Sequence, residues 1–193
     1  MLKQIKRQKE GFTIIETMIV LAIAGLIMLI VFLAVPALQR SARNTQRKND
    51  VGGIATAVAN YIDNNGGTLP DSTAPSGSST TNVLIGTGCS TATNSCTGNS
   101  ETVKLGYYAP GNVVFYPNGP GGTASPAPAA NDNISALLSA ASVTSTNYQE
   151  YVLIVDGYAC NSTNTGIGNA NTRTAAVLYA LEGSGNTYEC QEQ

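Results

Sequence analysis

The chain has 193 residues, of which 11% are charged and 42% are hydrophobic, and its formal net charge is −2. It contains no histidine, phosphate-binding glycine loop or nucleophile elbow, so the commonest general base and the commonest catalytic motifs are missing. The chain after Lys48 contains two basic residues, Lys104 and Arg173, and ten acidic ones. It therefore lacks the clustered basic surface that nonspecific nucleic-acid binding needs. We therefore predict that the protein is not an enzyme and has no catalytic residue, no cofactor and no metal.

The chain begins with a short basic leader and continues with a long apolar run. Four basic residues precede Gly11, and Glu16 is the only charged residue between Phe12 and Leu38. About 24 residues of helix rise ~36 Å, which is enough to cross the ~30 Å hydrocarbon core of a bilayer. The run is also longer than the apolar core of a secretory signal, which has about 7–15 residues. The sequence therefore predicts a membrane-spanning helix.

Glu16 lies near the start of this predicted span. An ionised carboxylate in hydrocarbon costs a few kcal/mol, so it needs a cation or a route to the interface. An amino terminus created at Phe12 would be such a cation, but within one chain it lies about one helical turn from Glu16, where pairing is sterically awkward. A neighbouring helix staggered along its axis could bring its own amine alongside Glu16. The alternative interpretation is a carboxylate that lies in the headgroup zone and is simply solvated.

Residues 9–16, Lys-Glu-Gly-Phe-Thr-Ile-Ile-Glu, resemble the processing site of type IV prepilins. The resemblance implies that a prepilin peptidase cuts between Gly11 and Phe12 and methylates the new amine of Phe12. It also implies that Glu16 pairs with the amino terminus of the next subunit and sets the axial register during assembly. The expected organisation is a removed leader at 1–11, a transmembrane and polymerisation helix at 12–38, and a globular head at 39–193.

The charges that flank the span do not orient it. Four basic residues precede it and four follow it, namely Arg40, Arg43, Arg47 and Lys48, so the positive-inside rule gives a tie. All four cysteines follow the span, where an oxidising compartment would allow disulfides. We therefore expect a cytoplasmic leader and an external head, in a single-pass precursor of the inner (cytoplasmic) membrane that later joins an extracellular pilus.

The helix is predicted to continue beyond the span to about residue 65. Gly25 and Pro36 are its weak points, and a kink is expected there. An apolar stripe recurs at helical spacing beyond Pro36, and Asp63–Gly67 is predicted to end the helix. The stripe comprises Val51, Ile54, Ala55, Val58, Tyr61 and Ile62.

Arg40, Arg43 and Arg47 lie on one face of this predicted helix, with Lys48 beside them. We interpret this basic stripe as a solvated face just beyond the membrane. The alternative is a contact with acidic groups of neighbouring subunits or with anionic headgroups.

The rest of the head is predicted to contain short strands and exposed connections. Strands are predicted at 113–116, 151–155 and 174–181, and their short connections favour an antiparallel sheet. Residues 71–82 have almost nothing to bury and are predicted to form a surface loop, and 119–130 is predicted to be an exposed connector.

A short amphipathic helix is predicted at 134–141, with its cap near Asn131 or Asp132. Asp156 and Gly157 are predicted to form a turn after a strand. The order of elements is similar to the globular pilin arrangement. The predicted fold class is therefore α+β, with a long N-terminal helix packed against a small antiparallel β-sheet and with disulfides.

Four cysteines allow three pairings, and the sequence alone does not choose among them. We favour Cys89 with Cys96 and Cys160 with Cys190, because each pair encloses one locally polar segment. The larger loop resembles the disulfide-bounded surface segment near the C-terminus of many pilins. A zinc site is the rival reading, but the chain has no histidine and no close Cys-x-x-Cys pair.

The first hypothesis is a structural subunit of a type IV pilus that serves adhesion, twitching motility or both. Its expected partners are copies of itself, the prepilin peptidase and pilus assembly machinery, the membrane before assembly, and a host or surface receptor. One alternative is a minor pilin, or a pseudopilin of a type II secretion or DNA-uptake system. Another is a monomeric surface-binding domain for which residues 12–38 are an uncleaved membrane anchor.

Overall fold

The computed structural model describes residues 11–116, 128–140, 147–183 and 187–193. Most of the connector predicted at 119–130 lies outside the described residues. The chain divides into two compact units, Met1–Ser41 and Ala42–Gln193. A single helix, α1 (Ile14–Asn64), contributes residues to both units.

The described residues of the first unit are the N-terminal part of α1 and the three residues, 11–13, that precede it. Every described residue of this unit is exposed, including the large apolar side chains of the run. The helix continues through Gly25 and Pro36 without interruption, and a kink at these positions stays a prediction. Within the described part of this unit, α1 is therefore an exposed apolar helix.

The second unit begins with the C-terminal part of α1, which is apolar on one face. Val51, Ile54 and Val58 are completely buried, as the helical spacing predicts. The helix ends at Asn64, and Gly66 then adopts a positive φ of 65° while the Gly67 N–H donates to the Ile62 carbonyl at 2.9 Å. This is the Schellman type of helix end, and it lies within the predicted stop.

Two sheets and a small ribbon form the β-structure of this unit. A three-stranded antiparallel sheet has the order β1-β2-β5, and β3 and β4 pair as a two-residue ribbon. A four-stranded sheet has the order β6-β7-β8-β9. The strands are β1 (Ser72–Pro75), β2 (Asn82–Gly86), β3 (Cys89–Ser90), β4 (Ser95–Cys96), β5 (Ser100–Lys104), β6 (Val113–Phe115), β7 (Val152–Cys160), β8 (Ile167–Leu181) and β9 (Thr187–Glu192).

The two faces of the four-stranded sheet are buried by two different elements. Val152 and Ile154 of β7 belong to the core that contains the apolar stripe of α1. Leu153 and Val155 lie on the opposite face, in a second core that includes α2 (Ile134–Ala140). Because both faces of the sheet are covered, the first four residues of β7 are all apolar and do not alternate with polar residues.

These elements confirm the predicted α+β class, and the three predicted strands are present as β6, β7 and β8. One pair differs from the antiparallel expectation, since β6 pairs with β7 in parallel. The chain between these two strands is long and includes α2, so it can make the crossover that a parallel pair requires.

Three local predictions were wrong. The predicted loop at 71–82 contains β1, in which Ala74 is buried and the Thr73 hydroxyl donates to the Val113 carbonyl at 2.7 Å. This strand depends on its partners rather than on its own hydrophobicity. Helix α2 is capped by Asn133, whose Oδ1 accepts the Ala136 N–H at 3.1 Å, and not by Asn131 or Asp132.

The third error concerns Asp156 and Gly157, which were predicted to form a turn. Strand β7 continues through both residues, and its register with β8 shifts between Asp156 and Tyr158. The positive φ of Gly157, 76°, accommodates this irregularity, so the glycine marks a bulge inside a strand.

Candidate processing and assembly site

The Gly11–Phe12 peptide bond lies outside the helix. Gly11, Phe12 and Thr13 precede α1, and Phe12 is 83% exposed. A Cβ placed on Gly11 would meet no atom within 4 Å, and its φ is not in the left-handed region. The fold itself therefore does not need a glycine at this position, which fits a residue that an external partner recognises.

Thr13 and Glu16 cap the start of α1 reciprocally. The Thr13 Oγ1 accepts the N–H of Glu16 at 3.3 Å, and the Glu16 Oε2 lies 3.5 Å from both the N–H and the hydroxyl of Thr13. This Thr-x-x-Glu arrangement is a capping box, which satisfies two N–H groups that the first helical turn leaves unpaired. The spacing is visible in the sequence, but its capping role was missed there because the carboxylate was read only as a charge in an apolar segment.

Glu16 is exposed on the side of an apolar helix. Among the described residues it hydrogen-bonds only to Thr13 and forms no ion pair, and its Oε1 has no hydrogen-bond partner. The carboxylate therefore has capacity for a cation that the described part of this chain does not supply.

The apolar side chains that follow Glu16 form the largest exposed hydrophobic surface of the described chain. Large side chains from Phe12 to Leu38 are between 39% and 83% exposed. Of the described helices, α1 alone has the length and composition to cross a membrane. A surface of this size on a soluble monomer marks an interaction with lipid or protein.

Arg43, Arg47 and Lys48 of the basic stripe pair with acidic residues of the head, contrary to the interpretation as a solvated face, whereas Arg40 is exposed as that interpretation expects. Arg43 makes a bidentate ion pair with Glu182, through Nε to Oε1 at 2.8 Å and a second guanidinium nitrogen to Oε2 at 2.6 Å. Asn44 exchanges two hydrogen bonds of 2.9 Å with the backbone of Glu182. Hydrogen bonding by Arg43 lowers the pKa of Glu182, and the same contact raises the pKa of Arg43.

Arg47 is the most deeply buried member of this stripe, with 1% of its surface exposed. It donates to Glu182 Oε1 at 2.9 Å and to the hydroxyl of Tyr107, and its guanidinium carbon lies 4.3 Å from the centre of the Tyr107 ring. The next residue, Lys48, pairs with Glu189 at 2.9 Å. Sequence spacing placed these side chains on one face but could not show that acids more than a hundred residues away meet them.

Asp50 fixes the segment that carries Tyr107. Its carboxylate accepts the N–H groups of Gly106 at 2.8 Å, Tyr107 at 2.7 Å and Tyr108 at 3.1 Å. Together with Arg47 it anchors α1 to this loop by charge-assisted hydrogen bonds. These contacts hold α1 against residues 106–108 of the head.

The cysteines are joined as Cys89–Cys96 and Cys160–Cys190, the two pairs that the sequence favours. The first closes the β3–β4 ribbon, and the second links the end of β7 to β9. No group of three or more metal-ligating side chains occurs among the described residues.

Asp156, which the sequence placed in a turn, is a buried carboxyl. It is 2% exposed, and neither carboxylate oxygen has a hydrogen-bond partner among the described residues. Burial, with a smaller contribution from the charge of Asp71, raises the pKa of Asp156 to about 8.

The geometry defines an exposed peptide bond before a capped, lipid-compatible helix, followed by a disulfide-bonded α+β head. Residues 6–32 match the family model described as the prokaryotic N-terminal methylation motif. This match covers Gly11, Phe12 and Glu16, and with the fold it supports a type IV pilin-like prepilin, as the sequence predicted. Proteins of this family are structural and non-enzymatic.

At this level the motif and the apolar helix support a type IV pilin-like or pseudopilin protein with a membrane-anchored precursor. Searches of the curated proteins and of the solved structures gave no match.

Proposed function

We propose that this protein is a structural subunit of a type IV pilus that is processed between Gly11 and Phe12 and polymerised through α1. The observation that carries the proposal is the methylation motif at the start of an apolar helix whose side chains are uncovered. Lipid covers these side chains in the precursor, and neighbouring subunits cover them in the filament. Because this apolar surface is covered in both environments, its transfer from the membrane to the filament exposes little of it to water.

Glu16 supports this proposal through its unused charge. Removal of residues 1–11 makes an amine at Phe12, two residues before the start of α1 and four residues before Glu16. The carboxylate of one subunit pairs with the methylated amine of the next, so that two charges enter the filament as a neutral pair. Pairing at low dielectric also penalises axial registers that separate the charges.

The processing step is tested by mass spectrometry of the natural amino terminus. The proposal expects a chain that starts at N-methylated Phe12. A chain that retains Met1 would instead support the monomeric, membrane-anchored binding domain, and a start at Leu38 would indicate an ordinary secreted domain.

The role of the Glu16 charge is tested by Glu16→Gln, because glutamine also serves at this position of a capping box. We expect the variant to insert and be processed, but to reduce filaments in the sheared fraction at least tenfold, since the amine loses its counter-charge. Glu16→Ala, which loses both the charge and the cap, is the comparison. A normal filament yield from Glu16→Gln would refute the proposed pairing.

Adhesion and twitching motility are the roles we propose for the filament, with a cell or solid surface as the external partner. A minor pilin or a pseudopilin carries the same N-terminal motif. The abundance of the chain in sheared filaments distinguishes these roles, because a major pilin dominates that fraction. The external position of the head is tested by labelling intact cells with a membrane-impermeant reagent for Lys104.

A further inference from the structure

The Gly11–Phe12 bond stands directly before the residue that starts the helix. The first intrahelical backbone bond is accepted by the Thr13 carbonyl, from the N–H of Thr17 at 3.2 Å. The N–H of Glu16 would reach the Phe12 carbonyl if the helix began one residue earlier. That N–H is instead held by the Thr13 hydroxyl oxygen at 3.3 Å.

The Thr13 hydroxyl thus competes with the Phe12 carbonyl for a single donor. Side chains that cap a helix in this way fix its starting residue. The methylation-motif match that includes Thr13 is an independent indication that this boundary is a processing site.

We propose that Thr13 is a positioning residue for processing, because its hydroxyl keeps the Gly11–Phe12 bond out of the helix and open to the peptidase. This inference rests on the proposed function. In the cleavage itself, water adds across the Gly11–Phe12 amide, the C–N bond breaks, and a carboxylate on Gly11 and an amine on Phe12 are formed. Thr13 takes no part in that chemistry.

A protease must reach both sides of the bond it cuts, and exposed segments outside regular structure are cut most readily. Loss of the cap lets α1 extend toward Phe12 and Gly11, where the helix covers the bond. A threonine cap typically shifts the local equilibrium about fivefold. The expected effect is therefore a graded loss of processing rate rather than its abolition.

The test uses the full-length precursor in phospholipid nanodiscs with purified prepilin peptidase, and measures the initial rate of leader removal by mass spectrometry. We expect Thr13→Val, which keeps the shape of threonine but lacks the hydroxyl, to be cut more slowly by up to about fivefold, because the rate follows the population in which the bond is open. Thr13→Ala should be at least as slow, because alanine favours the helix more than valine does. Thr13→Ser should restore a rate within about twofold of wild type, since serine also caps.

Thr17→Val is the matched control. The Thr17 hydroxyl donates to the Ile14 carbonyl at 2.8 Å inside the helix, so this variant loses a hydroxyl one turn away without changing the helix start. We expect it to be processed at the wild-type rate.

A second readout separates positioning from direct contact with the peptidase. The carbonyl ¹³C chemical shift of Phe12, measured in micelles without peptidase, should move toward the helical value in Thr13→Val and Thr13→Ala only. Equal processing of Thr13→Val and wild type would overturn the inference while leaving the proposed function intact. Slow processing with an unchanged Phe12 shift would also overturn it, because the hydroxyl would then act on the peptidase. If wild-type chain is not cut after Gly11, the proposed function fails and this inference falls with it.

Discussion

Asp156 provides a direct test of the head structure, because its buried carboxyl should make the stability of the head depend on pH. The perturbation is Asp156→Asn, which replaces the protonated acid by a neutral side chain of nearly the same shape. The pKa of Asp156 is raised from an ordinary value of 3.8 to about 8, chiefly by burial. The charged group that adds to this effect is Asp71, whose Oδ1 accepts the N–H of Gly88 at 2.9 Å.

The direction follows from proton linkage. Between about pH 4 and pH 8 the folded chain holds a proton on Asp156 that the unfolded chain releases, so folding is favoured at low pH. The stability from this group is fully present below about pH 4 and is lost as the pH rises to about 8. Each unit of difference between the folded and unfolded pKa is worth about 1.36 kcal/mol, so the loss of unfolding free energy has an upper limit of about 5–6 kcal/mol.

The assay is urea unfolding of the full-length protein in detergent, with disulfides intact, at several pH values from 4 to 9. The nine tyrosines and the absence of tryptophan make tyrosine fluorescence a suitable probe. Because Glu182 and other acids also titrate, the informative quantity is the difference in unfolding free energy between wild type and Asp156→Asn. Asp156→Asn should become more stable relative to wild type as the pH rises. A difference that stays constant from pH 4 to pH 9 would refute the reasoning.

Two further predictions concern the contacts that hold the head together. Arg47→Met should destabilise the head by about 2–3 kcal/mol in the same urea assay, because Tyr107 loses its cation and Glu182 loses one of its two arginines. Arg43→Met, at a side chain that is 44% exposed, should cost clearly less, and equal losses would contradict the structural difference between them. Replacing both Cys160 and Cys190 by serine removes a link across 30 residues and should cost about 3.7 kcal/mol, against about 2.4 kcal/mol for the pair that spans 7 residues. The reverse order would show that native-state contacts, rather than loop closure in the unfolded chain, dominate these disulfides.

The features that were predictable from sequence are those that a short stretch of chain specifies alone. The apolar run, the Gly11–Phe12 junction and the helix stop after Asn64 each depend on residues within one or two turns of each other. Strands β6, β7 and β8 were predictable because they are rich in apolar or β-branched residues. Strand β1 was not, since it carries one buried alanine and is held by pairing with β2 and by a hydrogen bond to Val113.

The head contacts could not be predicted because their partners are distant along the chain. The separation between Arg47 and Glu182 is 135 residues, and nothing near either residue identifies the other. The Thr13–Glu16 cap is the opposite case, because its spacing lies within one turn and signals a helix start. The cap was not predicted from the sequence, because Glu16 was interpreted only as a charge in an apolar segment.

The sequence by itself determined where the helix stops and which part of it suits lipid, because local spacing and hydrophobicity specify these properties. Only the tertiary structure decided that Arg43, Arg47 and Lys48 pair with distant acids of the head and that Asp156 is buried without a hydrogen-bond partner among the described residues. Ion pairing and desolvation depend on which distant segments surround a side chain, and that is a property of the folded chain rather than of any short segment within it.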